Sequence, residues 1–179
     1  MKVKEIILIG LFAAITAILA QIAIPLPITP VPITFQVLAV CLAGAILGSR
    51  LGTLSILVYL LLGAAGLPVF AKFTGGISII LGPTGGYLIA FPIAAFIIGK
   101  IIEKSKNPNY FNVTLSMLLG LIIIYLFGMT WLSFVTHMTL KKAFIAGVLS
   151  FIPLDIIKII IAAVIVIPVR NIVLKEVKI

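Results

Sequence analysis

Apolar residues run through this chain in long blocks, separated by short groups of glycine, proline and cationic residues. Several blocks approach the roughly 20 residues that cross a bilayer as a helix. The pattern predicts spans over about 5–24, 34–49, 51–66, 83–100, 111–135 and 143–169. Gly48-Ser49-Arg50 breaks the second from the third. A Gly-rich region over 66–86 separates the third from the fourth, and the polar linker EKSKNPN (103–109) follows the fourth. A short loop with His137, Lys141 and Lys142 precedes the sixth.

One interruption is itself apolar. IPLPITPVPITFQ (24–36) carries Pro25, Pro27, Pro30 and Pro32 and no charge. Proline breaks helices, and lipid does not tolerate unpaired backbone. Spans two and three are short, about 22–24 Å against a hydrocarbon core of about 30 Å. Their outer ends are expected to stop below the surface, where irregular backbone survives only against protein or a cavity. Short or Gly/Pro-interrupted segments point to a binding site. The proline stretch and the 66–86 region are therefore expected to cover a pocket open to the outside, with an apolar loop at the interface as the alternative.

Composition fixes the class. The chain is 63% hydrophobic and 9% charged, with a mean hydropathy of +1.41, so it is an integral membrane protein. Its net charge of +9 is read as cations flanking spans, because no basic cluster interleaved with aromatics suggests nucleic acid. Six spans place both termini on one side, together with Lys2, Lys4, Arg50, Lys100, Lys104, Lys106, Arg170, Lys175 and Lys178. Lys72, Lys141 and Lys142 fall on the other. That bias puts the termini in the cytoplasm. Residues 1–20 resemble a signal peptide, but Glu5 and the lack of an Ala-x-Ala site favour an uncleaved first span. The single Cys41 lies in an apolar run and forms no internal disulfide.

Among the four acids, Glu5, Glu103 and Glu176 lie near span ends. Asp155, in FIPLDIIKIII (151–161), is expected some 12 residues into span six, near mid-bilayer. Lys158 shares its helix face, about 60° away. Each charge at a helix centre costs about 2.5–3.5 kcal/mol, so the pair implies a protein-facing or wet interior. Asp accepts and Lys donates. Together they suit a ligand group with both N–H and C=O, such as an amide or urea; a structural ion pair is the alternative. Pro153 is expected to free a carbonyl one turn earlier.

Several chemistries find no motif. There is no G-x-x-x-x-G-K-S/T, no H-E-x-x-H and no G-x-S-x-G. A lone Asp excludes a paired-aspartate protease, and Ser133 with His137 lacks an orienting acid. A single acid makes no selectivity ring, and no internal repeat marks a self-sufficient transporter. What remains is a small membrane binder that needs help to move its ligand, not an enzyme.

PVPITFQ ending at Gln36, GLPVF (66–70), Gly75-Gly76, GPTGGYL (82–88) and PLDIIK (153–158) occur in that order across the chain. In this the sequence resembles the BioY family, the biotin-specific substrate-binding subunits (S components) of energy-coupling factor (ECF) transporters. The resemblance implies an all-α integral membrane protein of the plasma membrane. Residues 1–179 would form a single domain of six transmembrane helices, with cytoplasmic termini and two extracellular lid loops. It implies biotin as the transported ligand, no cofactor, and as partners a transmembrane coupling subunit and two ATPases. It places the ureido ring on Asp155 and Lys158, with the ammonium donating to the ureido oxygen. Thr34, Gln36 and Tyr87 are further candidate contacts, and Gly75, Gly76, Gly85 and Gly86 would allow close backbone approach. Lys72 is a candidate for the ligand carboxylate. Ala13 and Ala17 on span one would dock the coupling subunit. An S component for thiamine or riboflavin, or a ligand-free structural protein, remain open.

Overall fold

The computed structural model describes residues 1–105 and 108–177; Lys106 and Lys178, counted above among the terminal-side cations, and Asn107 of the polar linker lie outside the described residues. Helix α1 (Val3–Gln21) begins where the Lys2 backbone N–H donates to Glu5 Oε2 at 2.9 Å. Glu5 thus serves the positive end of a helix. The chain then forms a two-residue antiparallel ladder, β1 (Ala23–Ile24) with β2 (Ile33–Thr34). Pro25 follows Ile24 and Pro32 precedes Ile33. Neither has an N–H to extend the ladder, so the proline stretch is a hairpin loop pinned at its base. Its first half is largely exposed, whereas Val31, Ile33 and Thr34 are buried.

Helix α2 (Gln36–Ala64) is interrupted at Gly48, whose φ of 83° and ψ of −178° no side-chain-bearing residue adopts readily. A Cβ on Gly52 would meet the Ala43 carbonyl oxygen at 2.6 Å. Residues nine apart lie about 13 Å apart along a continuous helix, so the chain doubles back at Gly48. The two arms, 36–47 and 49–64, correspond to the second and third predicted spans. The break is clamped from both sides. Glu103 accepts from Ser49 N at 2.6 Å and from Ser49 Oγ at 2.8 Å, an anion at the start of the second arm. Arg170 Nη1 donates to Ala45 O at 2.7 Å and Ile46 O at 3.2 Å, a cation at the end of the first. Charges read as membrane flanks are thus also helix-end partners.

Helix α3 (Ile77–Leu81) leads into α4 (Gly85–Lys104) and α5 (Tyr110–Thr136), the latter capped by Asn109. The predicted sixth span is three pieces: α6 (Leu140–Phe144), one π-helical turn over Ile145–Leu149, and α7 (Ile152–Val177). Pro153 sits in the first turn of α7, where a missing N–H costs nothing. Asp155 is also in that turn, so it does not lie deep in an unbroken helix as expected. It meets the positive end of the α7 dipole instead.

The first arm of α2 is the centre of the bundle. Every residue from Gln36 to Ser49 is buried, as suits a helix that is apolar all round and enclosed. Helices α1, α4 and α7 pack on α2, and α5 packs on α4 and α7. The outer surface carries exposed Ile7, Leu11, Ile18, Leu61, Phe134 and Val164, the side chains lipid accepts. Among the described residues, five helices are long and apolar enough to cross a membrane, α2 with its two arms being one of them.

Candidate binding site

A cavity of ≈ 190 Å³ lies between the proline hairpin, the 66–76 loop and the inner faces of α4, α5 and α7. Pro30, Pro32 and Thr34 form its hairpin wall, and Phe70, Lys72 and Thr74 its loop wall. Phe91, Ile124 and Phe151 make much of it apolar. Of the two charged residues that line it, Lys72 is exposed and Asp155 is only 2% exposed.

Asp155 is held from two directions. Lys158 Nζ donates to Oδ1 at 2.6 Å, and Tyr125 Oη donates to Oδ2 at 2.7 Å. Lys158 also donates to the Thr34 carbonyl at 2.7 Å and lies 5.3 Å from the Phe35 ring centroid. An ammonium has three donors: one goes to the carboxylate and one to the hairpin carbonyl, while Nζ lies over the ring. Lys158 stands behind Asp155 and ties α7 to β2, whereas Tyr125 lines the cavity.

The other polar walls follow one rule. Thr34 Oγ1 donates to Gln36 Oε1 at 2.8 Å, Thr74 to Ala71 O at 2.9 Å, and Thr84 to Ile79 O at 3.3 Å. Tyr87 donates to Gly147 O at 2.8 Å, so its ring lines the cavity while its hydroxyl closes the backbone group freed by the π-turn. Gln36 Nε2 donates to Tyr59 Oη at 2.5 Å. Thr34, Thr74 and Thr84 thus give their protons to partners within the protein, and the Asp155 carboxylate offers acceptors alone. The wall therefore suits a ligand that brings N–H donors to the Asp155 end.

The remaining predicted residues fall into three groups. Thr34, Gln36, Tyr87 and Lys72 line the cavity with Asp155. The glycines do other work. A Cβ on Gly85 would strike the Ile80 carbonyl, and one on Gly86 would meet the Phe127 carbonyl of α5 at 2.6 Å. Gly76 N donates to Gly63 O at 2.7 Å, and Gly75 abuts the Leu67 carbonyl. These glycines fit loop and helices together behind the wall. Ala13 is only 3% exposed and packs inside the bundle, Ala17 is half-buried, and the small residues α1 leaves open are Gly10 and Ala14. Sequence reasoning missed Tyr125, which carries no motif, and Gln21. The Gln21 side chain donates to Val69 O and Phe70 O and accepts from Phe73 N, pinning the 66–76 loop to the end of α1.

The chain matches known proteins along most of its length. The BioY family profile matches residues 1–175. A probable biotin transporter BioY of Pyrococcus horikoshii is 53% identical over 88% of this chain and 91% of that protein. The biotin transporter BioY of Thermotoga maritima is 43% identical over 90% of this chain and 93% of its own. In three dimensions the chain resembles a crystal structure of the S-component for biotin from an ECF-type ABC transporter. The TM-score is 0.86 at 37% identity, over 95% of this chain and 90% of that one. On the family match and on these identities, the chain belongs to the BioY family.

Proposed function

We propose that this protein captures biotin in the cavity between the proline hairpin and α7 and passes it to a transport complex. It is the biotin-binding subunit of an ECF transporter, a multi-pass protein of the plasma membrane, and it binds rather than catalyses. The observation that carries the reading is the buried Asp155 carboxylate on the wall of a cavity that Phe91, Ile124 and Phe151 make largely apolar. Biotin offers a matching object: ureido N–H groups at one end, an apolar bicycle and chain, and a carboxylate at the other. Asp155 accepts from the ureido ring, and Lys158 balances its charge and fixes the hairpin. The exposed Lys72 reaches the ligand carboxylate. Thr34, Gln36 and the Tyr87 ring complete the wall, and Gly75, Gly76, Gly85 and Gly86 act through packing.

The reversal at Gly48 supports six spans within one domain, with both termini in the cytoplasm and the proline hairpin and 66–76 loop as outer lids. A transmembrane coupling subunit and two ATPases supply the power stroke. Ala17, with the open Gly10 and Ala14, gives α1 a face that another helix can approach closely. No cofactor is needed for capture.

Isothermal titration of the detergent-purified, ligand-free protein with biotin, thiamine and riboflavin tests the reading. Saturable 1:1 binding of biotin alone is expected, weakened in Asp155→Asn with the fold intact. Binding of thiamine or riboflavin in place of biotin would reject it.

A further inference from the structure

The loop over residues 66–76 is built as a flap. Both its ends are tied to the close of α2: Gly66 N donates to Gly63 O at 3.1 Å, Leu67 N to Leu62 O at 3.1 Å, and Gly76 N to Gly63 O at 2.7 Å. Gly66 and Gly76 stand at those ends with φ of 100° and 99°, a backbone that glycine adopts at little cost. A segment whose two roots share one anchor and carry a glycine each can swing about that anchor. Its middle faces the cavity through Phe70, Ala71, Lys72 and Thr74. Phe70 is buried against Tyr59, with ring centroids 5.6 Å apart, and seats the flap as a plug. The tip is strained. Lys72 and Phe73 are consecutive side-chain-bearing residues at φ of 59° and 55°, a left-handed conformation that persists only where surrounding structure holds it.

Gln21 holds it. Its Nε2 donates to Val69 O at 3.3 Å, to Phe70 O at 3.2 Å and to Ala17 O of its own helix at 2.9 Å, and its Oε1 accepts from Phe73 N at 2.8 Å. The Phe73 N–H can only donate, so one orientation of the amide serves all of these partners. The same end of α1 roots the proline hairpin: Phe35 N donates to Ile22 O at 3.2 Å, and Ala23–Ile24 pair with Ile33–Thr34. The two outer walls of the cavity are thus joined at Gln21. Gln21 is not among the residues that line the cavity, so it does not touch a ligand there. We propose that Gln21 is a positioning residue, a latch that keeps the 66–76 flap closed against the root of the hairpin and so sets the rate at which ligand enters and leaves. The identity of the ligand rests on the biotin reading above. A latch made wholly of bonds within the protein acts on the barrier to passage, not on contacts with ligand. Its loss speeds entry and exit together and leaves affinity nearly where it was, since a group with no differential interaction shifts no equilibrium.

The test measures association and dissociation of radiolabelled biotin on the detergent-purified full chain, for the wild type, Gln21→Met, Gln21→Leu, and Gln21→Met combined with Phe73→Gly. Methionine keeps the length of the side chain and removes the hydrogen bonds; leucine is a second variant with the same expectation. Both rate constants are expected to rise about tenfold, as for the net worth of one to two hydrogen bonds, with Kd within about threefold of the wild type. Phe73 is exposed and outside the cavity wall. Glycine in its place relieves the left-handed strain, and is expected to bring both rates back to within about threefold of the wild type. Hydrogen exchange on the same samples should quicken about tenfold across 66–76 in Gln21→Met and stay unchanged in α4. Unchanged rates, or a faster exit matched by a proportional loss of affinity, overturn the latch while leaving a biotin site in place. Absence of saturable biotin binding by the wild type overturns the biotin reading, and exchange across 66–76 then decides the latch alone: a selective rise in Gln21→Met upholds it, and no change overturns it.

Discussion

Lys158→Met removes one half of a buried ion pair whose atoms are 2.6 Å apart, at residues 3% and 2% exposed. The Asp155 carboxylate then keeps only the Tyr125 hydroxyl and the start of α7 as compensation. Breaking a buried pair by deleting one partner costs about 3–5 kcal/mol. The Thr34 carbonyl also loses its donor, worth about 1–3 kcal/mol when buried, while the helix dipole returns about 0.3–1 kcal/mol. A net loss of about 3–8 kcal/mol is expected, a large part of the whole for a domain stable by about 5–15 kcal/mol. Asp155→Asn strands the ammonium instead, softened by the Thr34 carbonyl and the Phe35 ring, and costs about 2–4 kcal/mol. The double variant carries no stranded charge but still leaves the Thr34 carbonyl without its donor, and is expected about 1–3 kcal/mol below the wild type. It should nonetheless bind no biotin. Denaturant unfolding in detergent, run beside biotin titration, separates the two effects. If the double variant is destabilised by the sum of the singles, the pair is not coupled and the account of Lys158 is wrong.

Two further outcomes follow from the geometry. Gly48→Ala places a Cβ 2.5 Å from Glu103 Oε1 on a backbone with φ of 83°, and should cost about 3–5 kcal/mol through strain and a displaced helix cap. Gly10→Ala, with nothing within 4 Å, should be neutral or stabilising by up to about 1 kcal/mol, and equal melting shifts for the two would refute the break as drawn. Lys72→Ala should weaken biotin about two- to fivefold, as for a solvent-exposed ion pair, and leave biotin amide unaffected; titration of both ligands reads the difference.

What the sequence disclosed and what it hid follow from the range of the forces involved. Proline positions mark the hairpin because a missing N–H acts locally. Gly48-Ser49-Arg50 marks the reversal for the same reason. Asp155 and Lys158 share a face by helical spacing alone. The partners that give the pair its meaning are far off: Tyr125 is 30 residues from Asp155, and the Thr34 carbonyl is 124 from Lys158. Periodicity offers no help with such contacts, because lipid-facing and core-facing sides are both apolar and no polar stripe separates them. For that reason Ala13 reads as an open docking position although it faces inward, and Gly86 reads as ligand-contacting although it seats α4 against α5. Glu103 and Arg170 read as membrane flanks because their roles depend on a helix end that only the folded chain creates.

That last dependence sets an order of events during synthesis. Ser49 and the carboxylate that caps it are 54 residues apart, and the Ala45 carbonyl and its guanidinium 125. While the ribosome is still making α5, the two arms of α2 have left it with their junction uncapped on the Arg170 side. Each arm alone is too short to cross the hydrocarbon at about 1.5 Å per residue, and free helix ends are costly in lipid. The arms must therefore enter and wait as one unit, and α7 seals them when it arrives. A chain stopped short of residue 170 lacks that seal, and its Gly48 junction stays open on one side.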